Sequence, residues 1–287
     1  MGIPAYFSYI IKNYTNIIRS LKSFLLDGHD KSDRFTHLYM DCNSIVYDSY
    51  YELEKVEAEN IETLVIERVI QKIEYYIGLL KPTSCIYIAF DGVAPFAKMY
   101  QQKMRRYKSS FIANVNEKHM EKEVKNKWNT SSITPGTQFM HNLSERLNYH
   151  FRHSENRYNC KEVIVSCSDE PGEGEQKLFL HLRNHIQQTD QIAVYGLDSD
   201  LIMLSIFHLS YCKNTYIFRE APEFLRSSIP VDVEDNEPYF VDINALQFGI
   251  LDHMDCKYNT LHRIQDYVFL CFLLGNDFLP HFPALNI

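Results

Sequence analysis

No stretch of this 287-residue sequence reaches the roughly 18 consecutive apolar residues of a membrane-crossing helix, so none is expected. Cysteine pairs of the metal-knuckle kind are missing too. The seven cysteines, at 42, 85, 160, 167, 212, 256 and 271, are odd in number, scattered, and never spaced as Cys-x-x-Cys. That excludes a zinc knuckle and a disulfide framework, and reads as reduced thiols of an intracellular protein, cytoplasmic or nuclear. Positive charge is short as well: 29 Lys and Arg against 37 Asp and Glu leave a net charge of −8. Binding of nucleic acid by bulk charge is disfavoured, unless the surplus acid is gathered at one metal site. The N-terminal MGIPAYFSYI lacks the cationic-then-apolar layout of a secretory signal, and Tyr6 stands where a myristoylation motif wants Ser or Thr. Internal repeats and Gly/Ser linkers are absent, so one domain over residues 1–287 is expected, with a boundary near residue 230 as the alternative.

Four short apolar segments each run into acid. Phe35–Cys42 reaches Asp41, Ser84–Asp91 reaches Asp91, Lys161–Cys167 leads to Glu173 and Glu175, and Gln191–Asp198 reaches Asp198 and Asp200. Between them lie helix-period stretches at Ile61–Leu80, Thr137–Tyr149 and Glu173–Gln188. Repeated alternation of strand and helix predicts an α/β fold: a mostly parallel, twisted sheet flanked by helices on both faces. Asp266–Phe278 reads as an apolar helix closed by Gly275, with Asp277 just past it. Residues 107–134 read as a polar arm or exposed helix, and 219–240, with three prolines and many acids, as a long loop.

One Asp at a strand end is most often a helix cap or the start of a turn. Four strand ends of a parallel sheet are neighbours in space, however, and coincidence explains the set poorly. Asp41, Asp91, Glu173, Glu175, Asp198, Asp200 and Asp277 would crowd together, which is tolerable only if cations neutralise them. Oxygen donors alone suit Mg²⁺ or Mn²⁺ rather than zinc. Two such ions, about 3.5–4 Å apart, would clamp the attacking and leaving oxygens of a phosphodiester. The turn EPGEGEQ carries two of the acids; Gly172 and Gly174 permit an unusual turn and close backbone approach. A dinucleotide fingerprint is excluded, because Lys177 stands where its third glycine would be.

Directly after Asp91, Lys98, Gln102, Arg105 and Arg106 fall within about 100° of one another on a helix. Such a fan of cations and an amide suits a terminal phosphate, which Arg grips through two oxygens at once. An ordinary solvated face is the competing reading. Position immediately after a metal-site acid favours the phosphate. His181 and His185 are four apart, as zinc ligands can be, but without His-Glu-x-x-His or a neighbouring third ligand they read as surface or partly buried histidines.

The motifs MGIPAYF, DCNSIVYDS, FDGVAPFAKMYQQKMRR, ITPGTQFM, DEPGEGEQK, GLDSDLIML and FLLGNDFLPH follow one another over almost the whole chain. In content and order they resemble the amino-terminal conserved region of the 5′→3′ exoribonuclease (XRN) family. The resemblance implies a PIN/flap-nuclease-like core and Mg²⁺-dependent hydrolysis of single-stranded RNA from a 5′ monophosphate to mononucleotides. Position by position, it implies metal binding by the seven acids named above. It places a 5′-phosphate pocket at Lys98, Gln102, Arg105 and Arg106. A base-stacking ring would fall at Tyr47, six residues beyond Asp41, and a supporting amide at Asn43.

Members of the family continue past the point where this sequence ends, into a second conserved region that closes the site. The expectation is therefore a minimal nuclease, a fragment, or half of a site completed by a second chain. Trp128, in the polar arm, is assigned no role. Two other readings stay open: a flap- or PIN-type endonuclease, and a non-catalytic protein that binds RNA 5′ ends. DNA in place of RNA also stays open, since nothing in the sequence visibly reads a 2′-OH.

Overall fold

The computed structural model describes residues 3, 5–22, 35–53, 56, 60–120, 128–196, 198–220, 238–276 and 278–285, with backbone alone at 109, 110, 113, 114 and 116–120. Seven strands share one sheet: β1 (Ile18–Ser20), β2 (His37–Asp41), β3 (Cys85–Ala89), β4 (Glu162–Ser166), β5 (Gln191–Tyr195), β6 (Asn214–Glu220) and β7 (Pro238–Asp242). Their order across the sheet is β1-β7-β6-β5-β2-β3-β4. The run from β6 to β4 is parallel throughout, while β7 pairs antiparallel with β6, and β1 with β7.

Along β2 the side chains alternate between two cores. Leu38 and Met40 pack beneath α2 (Asn43–Leu53), α3 (Ile61–Leu80) and α5 (Gln138–Phe151). Tyr39 faces the opposite layer, with α1 (Tyr6–Asn13), α7 (Gly174–His185), α8 (Ser199–His208), α9 (Ile243–His253) and α10 (Thr260–Phe272). Burial on both faces explains why the central strands read as continuous apolar runs rather than alternating ones. Among the described residues, further helices are α4 (Phe96–Met120) and the single turn α6 (Glu155–Tyr158).

Helix α3 occupies the interval its periodicity predicts. Val65, Val69, Ile73 and Ile77 form its buried stripe, and Asn60 Oδ1 caps it by accepting from the Thr63 N–H at 3.4 Å. Each such aliphatic side chain contributes roughly 1.5–3 kcal/mol on burial. Trp128 joins the same layer, its ring 4.8 Å from Phe139 and its Nε1 donating to Glu62 at 2.9 Å.

Two expectations shift. The helix predicted over Asp266–Phe278 is α10, which starts at Thr260 and ends at Phe272; Gly275, at φ +99°, makes the turn beyond it. Its buried stripe is Ile264, Val268 and Cys271, reaching back into a polar stretch, whereas Phe269 and Leu270 are exposed. The interval 219–240 contains strand at both ends: β6 runs through Glu220, and β7 begins at Pro238, a position where proline costs no ladder bond. Over 107–134 one of the two expected readings, an exposed helix, is what the described residues show: α4 continues to Met120 with Tyr107, Lys108, Phe111 and Ile112 exposed, residues 121–127 lie outside the described residues, and a short 3₁₀ turn follows at Thr130–Ser132.

The chain passes from β2 outward through β3 to β4, then crosses back to β5 on the other side of β2. The carboxyl ends of β2 and β5 therefore flank a topological switch point, where open α/β sheets bind their ligands.

Candidate functional site

Asp41 is the last residue of β2, and Asp91 stands two residues beyond β3. Glu173 caps α7 and Glu175 lies in that helix's first turn; Asp198 caps α8, with Asp200 in its first turn. Asp41, Asp91, Glu173, Glu175 and Asp198 line one cleft of about 330 Å³, together with Lys98, Gln102 and Arg105 of α4. Asn43, Ser44 and Gly196 complete its wall. Asp200 is buried behind the cleft, close enough that its charge acts on Glu175. Asp277 lies outside the described residues.

Asn43, the first residue of α2, grips Asp91 twice. Its amide nitrogen donates to Asp91 Oδ2, and its carbonyl oxygen accepts from the Asp91 backbone N–H at 3.1 Å. The other carboxylate oxygen, Oδ1, accepts from Gly174 N–H at 2.7 Å, where α7 begins. A carboxylate at a helix N-terminus is stabilised by the helix dipole. Gly172, at φ +98°, turns the chain into that helix. Gly174 supplies close approach: a Cβ there would stand 2.6 Å from Asp41 Oδ1 and 3.5 Å from Asp91 Oδ1.

Lys98 Nζ lies 2.7 Å from Glu173 Oε1, so the helix after β3 is tied to the acid wall by an ion pair that is nearly buried on both sides. Gln102 and Arg105 reach the cleft from the same helix, but Arg106 is exposed and does not line it. Tyr47, half-buried on α2, also stands outside the lining, near enough to Arg105 and Arg106 that both act on its hydroxyl.

Five carboxylates facing two cations leave the cleft short of positive charge. Burial, and then the Asp91 charge, push the Asp41 carboxyl up to about 8. Burial and then Asp41 push Glu175 up to about 9. Asp41 Oδ1 is sealed from solvent and has no hydrogen-bond donor among the described residues. A buried acceptor of this kind, in a wall of oxygen donors, fits a divalent cation of the Mg²⁺ or Mn²⁺ class. Asp41, Asp91, Glu173, Glu175 and Asp198 are the residues placed to hold it.

Three residues at the site escaped the sequence reading, one of them a buried support. Lys177, on α7, is buried and donates through Nζ to Phe90 O at 2.9 Å and to Cys167 O at 2.7 Å. It straps together the chain leaving β3 and β4, just where Asp91 and the EPGEGE turn depart. A lysine in the first half of a helix gives no signal of that role. Ser44 and Gly196, likewise unforeseen, neighbour foreseen residues in sequence.

Residues 1–221 match the family model described as "XRN 5'-3' exonuclease N-terminus", and residues 257–287 match one described as "Xrn1 helical domain". Among curated proteins, the whole chain is similar to 5'-3' exoribonuclease 1 of Saccharomyces cerevisiae, 31% identical and covering 20% of that protein. It is similar, again over its whole length, to 5'-3' exoribonuclease 1 of Schizosaccharomyces pombe, 31% identical over 23% of that protein. With 5'-3' exoribonuclease 2 of Candida albicans the identity is 28%, over 35% of that protein. The chain thus spans about a fifth to a third of the length of these relatives.

Proposed function

The chain belongs to the XRN 5'-3' exonuclease family, and from that premise we propose that its acid cleft removes nucleotides from the 5′-monophosphorylated end of single-stranded RNA, with Mg²⁺ or Mn²⁺ as cofactor. The observation that carries this reading is the shared cleft. The strand-end carboxylates and the phosphate-seeking side chains Gln102 and Arg105 face the same space.

Asp41, Asp91, Glu173, Glu175 and Asp198 would hold two cations, with Asp200 behind them and Asp277 assigned to the same set by resemblance. Bound there, such ions would supply Lewis acidity to the scissile phosphoryl group and acidify water as a nucleophile. Everything else the chain contributes is positional. Asn43 and the Gly174 N–H fix both oxygens of Asp91. Arg105 and Gln102 hold the terminal phosphate, Arg105 through two oxygens. Lys98, paired with Glu173, sits at the junction of acid wall and phosphate pocket. Tyr47 offers its ring to the first base. Asp41 and Glu175 would have to be in the carboxylate form to coordinate, so cation binding there would be coupled to loss of their protons.

The test is digestion of 3′-labelled single-stranded RNA in Mg²⁺, as 5′-monophosphate and 5′-hydroxyl twins, with Asp198→Asn as control. Mononucleotides from the monophosphate form alone, lost in the variant, are the expected result. Equal cleavage of both twins would instead mean an endonuclease, and binding without products a non-catalytic end-binding protein.

A site completed by a second chain is the alternative that a specific observation favours. Phe96 and Tyr100 at the start of α4 are 88% and 69% exposed, and they stand beside the Lys98–Gln102 stretch of the cleft wall. Activity that appears only when a further segment of the family is added would establish this alternative.

A further inference from the structure

At the opposite end of the sheet, three potential ligands from distant parts of the chain converge. Cys85 opens β3 and Glu162 opens β4, and the parallel register makes them direct cross-strand partners. His181 comes down from α7. The Cys85 Sγ, a Glu162 carboxylate oxygen and a His181 ring nitrogen all lie within 4.8 Å of one another. We propose that Cys85, Glu162 and His181 form a second metal site, for a borderline-soft divalent cation of the Zn²⁺ class.

Donor chemistry separates this site from the cleft. Thiolate, imidazole and a single carboxylate suit Zn²⁺ or Co²⁺, whereas the all-oxygen cleft suits Mg²⁺ or Mn²⁺. Charge balances as well: one thiolate and one carboxylate neutralise a divalent cation, and the imidazole adds none. Bond lengths of about 2.0–2.3 Å to such an ion need donors about 3.3–3.8 Å apart. Glu162 is exposed, so its side chain has room to move toward an ion.

The histidine is already oriented. Its Nδ1 lies 3.0 Å from the Tyr39 hydroxyl, and its ring packs 4.8 Å from Tyr87 and 4.1 Å from His185. A ring nitrogen held by a second group is the usual arrangement behind a metal-ligating histidine. On binding, the Cys85 thiol gives its proton to solvent and the cation replaces it.

Glu173 and Glu175 stand at the amino end of the same helix, about 12 and about 9 Å along its axis from His181. A cation at Cys85, Glu162 and His181 would pin α7 to β3 and β4 and so brace the wall of the cleft from its far end.

Co²⁺ is the probe, because thiolate coordination gives a near-ultraviolet charge-transfer band that the oxygen donors of the cleft cannot produce. The purified full chain is titrated with Co²⁺ and then with Zn²⁺. One tightly bound Co²⁺ per chain is expected, with its thiolate band displaced by Zn²⁺. Cys85→Ser abolishes the band; Glu162→Gln, at an exposed and structurally undemanding position, weakens Zn²⁺ binding by at least about tenfold. Cys160→Ser, the nearby thiol outside the triad, and Asp198→Asn in the cleft leave the band intact. No band in the natural sequence, persistence in Cys85→Ser, unchanged affinity in Glu162→Gln, or loss in Cys160→Ser would each overturn the proposal.

Discussion

Gly174 presses against Asp41: a methyl group in place of its α-hydrogen would lie 2.6 Å from Oδ1, well inside contact distance. The glycine opens α7, where alanine is otherwise the better helix former. Gly174→Ala is therefore expected to leave thermal stability unchanged or slightly raised while displacing the Asp41 carboxylate. Mn²⁺ affinity, measured by calorimetry, should fall about 10- to 100-fold, the usual loss when a metal ligand is misplaced. Unaltered affinity would remove Asp41 from the cation site.

Asn43 acts on the cation through Asp91. Asn43→Ala removes two hydrogen bonds to Asp91, one from its backbone N–H and one to its carboxylate, the latter charge-assisted and worth about 1.5–3 kcal/mol, and leaves the carboxylate held by the Gly174 N–H alone. Mn²⁺ binding weakens by about tenfold or more, and the loss persists in the absence of RNA. An effect seen only with RNA present would make Asn43 a substrate contact instead.

Arg105 and Arg106 are adjacent in sequence but unequal in place, since Arg105 lines the cleft and Arg106 does not. Loss of a charge-assisted phosphate contact costs about 1.5–3 kcal/mol, or about 10- to 100-fold in kcat/KM. Arg105→Ala should show that loss on 5′-monophosphate RNA, and Arg106→Ala much less. Equal losses would mean that the phosphate lies further out along α4.

Folded Asp41 and Glu175 hold their protons up to about 8 and 9, against 3.8 and 4.5 for the free groups. The folded chain thus binds more protons than the unfolded one between those limits, and metal-free stability falls as pH rises through this window. Glu52 and Glu74, lowered by their ion-pair and hydrogen-bond partners despite burial, act below 4.5 and do not interfere. Melting curves at about pH 6 and 8.5 should show the metal-free Tm dropping, and the rise on adding Mn²⁺ larger at the higher pH. A Mn²⁺ increment that does not change with pH would contradict this.

Lys177→Met keeps the aliphatic stem but strands the carbonyls of Phe90 and Cys167. Removing a buried charged donor from two acceptors costs about 2–4 kcal/mol. Chemical denaturation should register that loss; a change below about 0.5 kcal/mol, the range of ordinary surface substitutions, would mean that the strap does not matter.

Helix α3 was readable to the residue, because a twenty-residue apolar stripe with an Asn cap leaves little choice. Of the four acid-ended strands, β2, β3 and β5 were readable because burial on both faces makes them continuous apolar runs, and β4, at the sheet edge and only half-buried, because of its Val-Ile-Val run. The outer three strands were not. β1 has three residues, and its one partner among the described residues, β7, lies over 200 residues away; β7 itself follows an acidic, proline-bearing stretch that reads as loop. At the site, Asp41, Asp91, Glu173, Glu175 and Asp198 line one cleft because parallel strands deliver their ends to one edge, which alternation alone predicts. Arg106 stood at the margin of the helical fan, and the structure leaves it outside. Lys177 and the Cys85–Glu162–His181 group could not be foreseen, since cross-strand register and helix docking are tertiary facts with no local trace.

The central claim is that the cations and the RNA 5′ phosphate occupy one cleft. ³¹P relaxation of a 5′-phosphorylated oligonucleotide with a nuclease-resistant backbone, bound to the protein in Mn²⁺, tests it directly. Strong paramagnetic broadening of the terminal phosphate, absent with Mg²⁺ and reduced in Asp198→Asn and in Arg105→Ala, is the expected result. Bound oligonucleotide and bound Mn²⁺ without such broadening would put the phosphate and the metal in different places and contradict the account.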